Sequence, residues 1–242
     1  MTKAKICSVT QVSHALVAGE GGAALVGLNF APESPRRLSV PQAQEIARAL
    51  RRRFPGPAPA LVGVFVNATV AEMERTAASC SLDWLQLAGE EPGETAADLE
   101  HPLLRVVHVA PDETAEGLLR RLAEGARWFR SKESLFLLDA RVEGRHGGTG
   151  KTIDWALARR AAREYPLLLS GGLTPENVEE AVTLVQPWGV DVSSGVESGG
   201  LKDEGKIRAF LAAVRRAGGG LEADEIKKEG RLWGGPGVHG AS

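Results

Sequence analysis

Short apolar runs alternate with longer amphipathic segments along most of the chain. Eight runs have the length and composition of buried strands, and a segment in which a helix fits follows each of them. The predicted strands are residues 4–7, 23–30, 60–66, 84–87, 103–109, 134–139, 167–170 and 190–193. The predicted helices are residues 11–20, 40–53, 69–80, 95–100, 114–130, 154–164, 174–184 and 202–216. The pattern predicts repeated strand–helix units.

Several predicted helix boundaries have the residue types that helix ends favour. Ser39 is placed to cap a helix that the chain enters through Pro41. Thr174 is placed in the same way, with Pro175 at the first helical position. Pro166 is expected to stop the preceding helix before the next strand, because proline has no backbone N–H to donate.

Repeated strand–helix units predict an α/β protein with parallel strands and right-handed crossovers. Eight such units match a single closed (β/α)8 TIM barrel, and an open doubly wound sheet is the alternative. No GxGxxG fingerprint follows the first strand, which argues against a dinucleotide-binding sheet. We expect the barrel to span residues 1–217 and the Gly-rich residues 218–242 to form a short C-terminal tail.

The bulk composition is that of a globular protein and narrows the function classes. Hydrophobic residues make up 43% of the 242 residues and charged residues 25%, which argues against a disordered chain. No apolar run approaches a membrane span, and the N-terminus lacks signal-peptide features, so we expect a cytoplasmic protein. A net charge of −2 gives no electrostatic basis for binding nucleic acid or an anionic membrane, despite the three arginines at residues 51–53.

The two cysteines, Cys7 and Cys80, have neither metal-ligand spacing nor enough partners for a disulfide framework, so we expect two free thiols and no metal site. Cys80 falls on a predicted helix among alanines, which favours a packing role. Cys7 ends the first strand, where a thiol can act as a base at a barrel mouth. Packing is the alternative for Cys7 as well.

Asp139 ends the apolar run of the sixth strand and precedes a Gly-rich loop at residues 146–151. A helix with acid in its first turn is predicted to begin near Asp154. A carboxylate at the end of a buried strand, followed by a flexible loop before a helix, is typical of the rim of a barrel active site. The alternative is that Asp139 only caps a turn.

Glycine and serine follow the seventh and eighth strands. In a barrel these strand ends are neighbours, and exposed backbone N–H groups at this position bind phosphate in many barrels. The candidate phosphate-binding residues are Gly171, Gly172, Ser193, Ser194 and Gly195. Ordinary turns are the alternative.

Arg36 lies on the loop after the second strand, within the sequence Phe30-Ala31-Pro32-Glu33-Ser34-Pro35-Arg36. A guanidinium on this loop can hold a carboxylate through two parallel hydrogen bonds. A solvated surface role is the alternative for this arginine.

Taken together, these stretches resemble the phosphoribosylanthranilate isomerases of tryptophan biosynthesis, over about residues 5–216. The resemblance is carried by KIC (5–7), FAPESPR (30–36), VGVFVN (62–67), LQL (85–87), LLDA (137–140), GGTGKTIDW (147–155), LSGGLTPENV (169–178) and DVSSGVE (191–197). It implies a single-domain TIM barrel that isomerises N-(5-phosphoribosyl)anthranilate without a cofactor. The partner it implies is this small phosphosugar–anthranilate substrate, and it leaves the oligomeric state open.

The resemblance also implies roles for individual residues. Cys7 corresponds to the family's general base, Asp139 to its general acid, and Arg36 to the group that holds the anthranilate carboxylate. Phosphate binding carries over to the Gly171–Gly172 and 193–195 loops, with Asp191 lining the site.

Two positions depart from the family pattern. Ser8 stands where the family has glycine, and Ala88 stands where it has histidine. Two other functions therefore stay open. One is a catalytically silent barrel that binds a phosphate ligand, and the other is the related aminoaldose isomerase of histidine biosynthesis, against which Cys7 argues because that enzyme uses two aspartates.

Overall fold

The computed structural model describes residues 1–129, 133–140 and 153–219. Within them, eight parallel strands close into a barrel in which each strand pairs with its neighbours in chain order and β8 returns to β1. This arrangement confirms the TIM barrel and excludes the open sheet. The barrel strands are β1 Lys3–Ile6, β2 Leu25–Asn29, β3 Ala60–Phe65, β4 Trp84–Leu87, β5 Leu103–Val109, β6 Leu135–Ala140, β7 Leu167–Leu169 and β8 Gly189–Val192.

Helices follow the barrel strands and cover the outside of the barrel. α2 shows why they pack there, because it buries Ala43, Ile46, Ala47 and Leu50 along one stripe and leaves the arginines of its last turn exposed. The helices are α1 Val12–Glu20, α2 Val40–Arg53, α3 Val70–Cys80, α4 Gly93–Asp98, α5 Ala115–Ala126, α6 Trp155–Glu164, α7 Val178–Val185 and α8 Glu204–Gly219.

Two of the three predicted helix boundaries are confirmed. Ser39 precedes α2, and its backbone N–H donates to the Gln42 side chain at 2.9 Å. Pro166 separates α6 from β7. The predicted start at Thr174 is wrong, because α7 begins at Val178 with Asn177 as its N-cap.

A local hydrogen-bond network explains the late start of α7. The Asn177 side chain accepts from the Thr174 N–H at 2.8 Å and donates to the Gly172 carbonyl at 3.0 Å. Both bonds hold residues 174–177 in a turn that ties the helix entrance to the loop after β7.

The barrel interior and the surrounding layer form two separate hydrophobic cores. Because strand side chains alternate, one set faces inward and the other packs under the helices. The inner core is built from Leu25, Val62, Leu104, Leu135, Leu137 and Leu168, with Trp84 and Trp188 packed against it. The space towards the carboxyl ends of β1 and β8 holds polar side chains instead.

A short hairpin after β8 was not predicted. A 3₁₀ turn at Ser194–Val196 leads into β9 (Glu197–Ser198), which pairs with β10 (Leu201–Lys202). Helix α8 then runs to Gly219, so the predicted boundary between residues 217 and 218 falls in its last turn. Residues 220–242 of the predicted tail lie outside the described residues. None of the described helices is long and apolar enough to cross a membrane.

Aromatic rings pack around Phe136 of β6, and this packing predicts how a substitution there affects stability. Phe136 is 2% exposed, and its ring lies 4.9 Å from Phe129 and 5.8 Å from Tyr165. We expect Phe136→Ala to lower the free energy of unfolding by about 3–5 kcal/mol because it leaves a cavity. Leu184→Ala, at an exposed position of α7, is the control and should change it by no more than about 0.5 kcal/mol. Equal urea midpoints for the two variants would contradict this packing role.

Candidate active site

The carboxyl ends of β1, β6, β7 and β8 bring the predicted catalytic residues to one mouth of the barrel. Cys7 directly follows β1 and is 6% exposed, and Asp139 lies half-buried near the end of β6. Gly27 on β2 makes room beside the thiol, since a β-carbon there would lie 3.0 Å from Cys7 Sγ and 3.3 Å from Lys5 Nζ. Cys7 and Lys5 therefore flank the same space.

A buried ion pair lies beneath this mouth. Lys5 is completely buried, and its Nζ lies 2.7 Å from Asp191 Oδ1. The Ser170 hydroxyl donates to Asp191 Oδ2 at 3.2 Å. Burial alone would lower the pKa of Lys5, but the charge of Asp191, followed by that of Cys7, raises it above its ordinary value. Lys5 is therefore a fixed cation below the mouth.

Asp191 was predicted to line the phosphate site. The structure places its carboxylate inside the barrel, with one oxygen on Lys5 and the other on Ser170. Its interactions are thus with the floor of the site.

Asp139 has the electrostatic environment of a proton donor. Burial raises the pKa of Asp139 from 3.8 to about 6, and the negative charge of Asp191 adds to the effect. A hydrogen bond with the Ala140 backbone and the charge of Lys5 oppose it in part. Roughly a tenth of the Asp139 side chains are then protonated at pH 7, and the fraction rises as the pH falls.

The loop after β7 packs closely on Asp139 and requires glycine. Gly171 and Gly172 have φ of 87° and 64°, a region that other residues rarely adopt. A β-carbon on Gly171 would also lie 3.0 Å from Asp139 Oδ1. The loop therefore approaches the carboxyl group through its backbone.

The loop after β8 contacts the loop after β7 in the same way. A β-carbon on Gly195 would overlap the Leu173 carbonyl oxygen. Ser194 and Gly195 begin the 3₁₀ turn, while the Ser193 carbonyl and hydroxyl oxygens accept from Lys202 Nζ at 3.0 and 3.3 Å. The two predicted phosphate loops are thus neighbours.

Arg36 lies on the loop between β2 and α2 and has an internal carboxylate partner. Its Nε and Nη2 donate to Glu197 Oε1 and Oε2, both at 2.7 Å. Lys202 Nζ also lies 2.5 Å from Glu197 Oε1. Burial would raise the pKa of Glu197, but hydrogen bonds from Arg36 and Lys202 hold it below its usual value. Glu197 is therefore an anion between two cations.

Lys5, Glu197 and Lys202 were missed by sequence reasoning, although each had a signal. Lys5 stands two residues before Cys7 in a strand, which places both side chains on one face. Glu197 and Lys202 flank a Gly-Gly pair, a common hairpin turn with opposite charges on its two arms.

The two departures from the family pattern differ in their local consequences. Ser8 adopts a φ of 55°, a left-handed conformation that glycine reaches more easily, and its hydroxyl accepts from Asn29 Nδ2 at 3.2 Å. Ala88 follows β4 and supplies no polar group to the mouth.

The predicted Gly-rich loop before α6 lies outside the described residues. Asp154, which follows it, is the N-cap of α6, where its Oδ1 accepts from the Ala156 N–H at 2.8 Å. Both cysteines are free thiols. Among residues 1–129, 133–140 and 153–219, no cluster of three or more His, Cys, Asp or Glu side chains is arranged to hold a metal ion.

Comparison with known proteins identifies the family of the chain. A family model for N-(5'-phosphoribosyl)anthranilate (PRA) isomerase matches residues 4–213. A relative of that name from Roseiflexus castenholzii is 49% identical over 215 residues, which cover 88% of this chain and 98% of the relative. Another, from Dehalococcoides mccartyi, is 41% identical over 219 residues, covering 90% and 98%.

Solved structures give the same result. The phosphoribosyl anthranilate isomerase of Thermotoga maritima superposes with a TM-score of 0.77 at 35% identity, covering 89% of this chain and all of that one. A phosphoribosyl anthranilate isomerase in complex with reduced 1-(o-carboxyphenylamino)-1-deoxyribulose 5-phosphate has a TM-score of 0.73 at 33% identity, with the same coverage. The chain belongs to the phosphoribosylanthranilate isomerase family.

Proposed function

We propose that this chain converts N-(5-phosphoribosyl)anthranilate to 1-(2-carboxyphenylamino)-1-deoxyribulose 5-phosphate by an acid–base Amadori rearrangement. The observation that carries the proposal is the pairing of a half-buried carboxyl group of raised pKa, Asp139, with the Cys7 thiol at the mouth of one barrel. Family membership supplies the substrate. With this function we also propose a cytoplasmic location and a reaction that involves neither nucleic acid nor a membrane.

Asp139 acts first, as the general acid. It donates its proton to the furanose ring oxygen, the bond from that oxygen to C1 breaks, and the nitrogen lone pair forms the Schiff base. This step needs Asp139 to be neutral before substrate turns over, and its burial beside Asp191 supports that state.

Cys7 acts second, as the general base. Its thiolate takes the proton from C2, and the electrons of that C–H bond neutralise the Schiff base to give an enolamine. Tautomerisation then moves the C2 hydroxyl proton and protonates C1, which yields the ketone with no net oxidation. A thiolate at Cys7 faces the buried ammonium of Lys5, since the two side chains interact across the space above Gly27.

Two anionic ends of the substrate would hold the reacting carbons between these groups. Backbone N–H groups of Gly171, Gly172 and residues 193–195 are proposed to bind the phosphate, a recurrent use of these two loops in barrels. Arg36 is proposed to bind the anthranilate carboxylate. Binding at both ends would fix the orientation of the sugar between the acid and the base.

The acid assignment predicts the behaviour of Asp139→Asn. Asparagine keeps the size and hydrogen-bonding capacity of the side chain but has no transferable carboxyl proton, so kcat should fall by about 10² or more. The measurement is the loss of phosphoribosylanthranilate fluorescence under saturating substrate. Near-normal turnover in this variant would remove Asp139 from the mechanism.

The raised pKa of Asp139 also predicts how stability depends on pH. Between about pH 4 and pH 6 the folded protein holds this proton more tightly than the unfolded chain, so stability contributed by Asp139 is lost as the pH rises through that window. A pKa of about 6 in place of 3.8 corresponds to about 3 kcal/mol. Asp139→Asn should therefore be more stable than the wild type at pH 7, by up to that amount.

Urea unfolding of both proteins at pH 4, 5, 6 and 7 measures this difference. The gap between variant and wild type should shrink towards pH 4, because Asp139 is then protonated in the folded state. A gap that stays constant across the series would mean that Asp139 titrates near its ordinary pKa.

The base assignment predicts the effect of Cys7→Ser. A hydroxyl is far harder to deprotonate than a thiol, so kcat should fall by about 10²–10⁴ while the reduced product analogue binds as before. Cys80→Ala is the matched control, because Cys80 is a buried thiol at the end of α3, and its kcat should stay within about twofold. Full activity of Cys7→Ser would assign proton abstraction to another group.

A further inference from the structure

The β9–β10 hairpin holds Glu197 in a fixed position at the edge of the mouth. Glu197 and Lys202 are register partners across the hairpin, and their side chains form the 2.5 Å ion pair. The turn consists of Gly199 and Gly200, with φ of 60° and 82°, as a tight hairpin requires. Lys206 Nζ donates to the Glu197 carbonyl at 2.7 Å and anchors the hairpin to α8. The Glu197 carboxylate therefore has little freedom to move.

Arg36 uses only one edge of its guanidinium to bind Glu197. Nε and Nη2 form the two bonds, and Nη1 makes no hydrogen bond within the described part of the chain. The Arg36 side chain is 27% exposed, whereas those of Glu197 and Lys202 are 7% and 1% exposed. The second edge, formed by Nη1 and the remaining N–H of Nη2, is thus the part available to a ligand.

A cavity beside this group extends to Ser8. It has a volume of about 220 Å³, and its lining includes Ser8, Thr10, Arg36, Glu197 and Lys202. Ser8 follows Cys7 directly in the chain. Arg36 and Lys202 both interact electrostatically with Cys7, so a carboxylate bound at the free edge of Arg36 would lie near the proposed base.

The charges of this group suit one carboxylate ligand. Arg36 and Lys202 carry two positive charges and Glu197 carries one negative charge, which leaves one positive charge. A single ligand carboxylate neutralises it. Without Glu197 the same place would hold two cations, one of them almost completely buried, which is costly.

We propose that Glu197 is a positioning residue for Arg36. It holds one edge of the guanidinium so that the other edge faces the aromatic carboxylate of the substrate, and it thereby selects ortho-carboxylated substrates. This inference rests on the proposed function. The alternative is that the substrate carboxylate displaces Glu197 from Arg36. Glu197 is also held by Lys202, its partner across the hairpin, which argues against displacement.

Glu197→Gln tests the proposal because it keeps the size of the side chain and removes its charge. We expect KM for phosphoribosylanthranilate to rise about tenfold or more with kcat within about threefold, since a charge-assisted pair of bonds is lost. KM for the carboxylate-free substrate phosphoribosylaniline should stay within about twofold. In an Arg36→Met background, Glu197→Gln should change neither KM by more than about twofold.

A matched control removes an equal charge away from the mouth. Glu179 on α7 forms an exposed ion pair with Arg216 on α8, 2.9 Å apart. Glu179→Gln should leave both KM values unchanged. Thermal unfolding of all variants checks that each is folded at the assay temperature.

Four outcomes would overturn the proposal. A lower KM for phosphoribosylanthranilate in Glu197→Gln would make Glu197 a competitor of the substrate. An equal rise in KM for both substrates, or an unfolded Glu197→Gln, would make it a structural residue. An effect that persists undiminished in the Arg36→Met background would mean that it does not act through Arg36.

Calorimetric binding separates this proposal from the proposed function. The probes are reduced 1-(o-carboxyphenylamino)-1-deoxyribulose 5-phosphate and its analogue without the carboxylate. If the wild type shows no turnover, the proposed function fails, yet a selective loss of affinity for the carboxylated probe in Glu197→Gln still supports the positioning role. Failure of the wild type to prefer the carboxylated probe overturns that role.

Discussion

The ion pair between Lys5 and Asp191 is the interaction on which the chemistry of the mouth depends. Both side chains are removed from water, and their 2.7 Å contact together with the Ser170 hydroxyl compensates for lost hydration. Removing one partner would leave a buried, unpaired charge, at a cost of about 3–5 kcal/mol. Because Cys7 interacts with Lys5, and Asp139 interacts with both members of the pair, the pair also organises the site.

The two members of the ion pair interact with the two proposed catalytic residues. The ammonium of Lys5 interacts with Cys7, the proposed base, and the carboxylate of Asp191 adds to the effect of burial in raising the pKa of Asp139, the proposed acid. A rearrangement of this kind needs a neutral acid and an anionic base in one cavity at one pH. The ion pair contributes to the surroundings of both residues without adding net charge to the barrel.

Much of the fold and part of the site could be predicted from the sequence. Periodicity gave the order of strands and helices, and the rule that barrel strand ends converge brought Cys7, Asp139 and the two glycine-containing loops together. The partners of Lys5 and Arg36 could not be found this way, since they lie 186 and 161 residues further along the chain. Their pairing depends on the closure of β1 against β8 and on the β9–β10 hairpin. The late start of α7 was missed because the Asn177 side chain accepts from the Thr174 N–H and holds residues 174–177 in a turn before the helix.

Gly27 carries no functional group, yet the site has no room for a larger residue at this position. Its conformation is not one that demands glycine, so the constraint is space: a β-carbon would lie 3.1 Å from Cys7 Cα as well as against Sγ and Lys5 Nζ. Even alanine, the smallest replacement, would bring its methyl group into close contact with both the thiol and the ammonium. A search for functional residues by their chemical groups does not find such a position. The space that glycine leaves there, the size of one methyl group, is nevertheless as much a part of the site as the side chains around it.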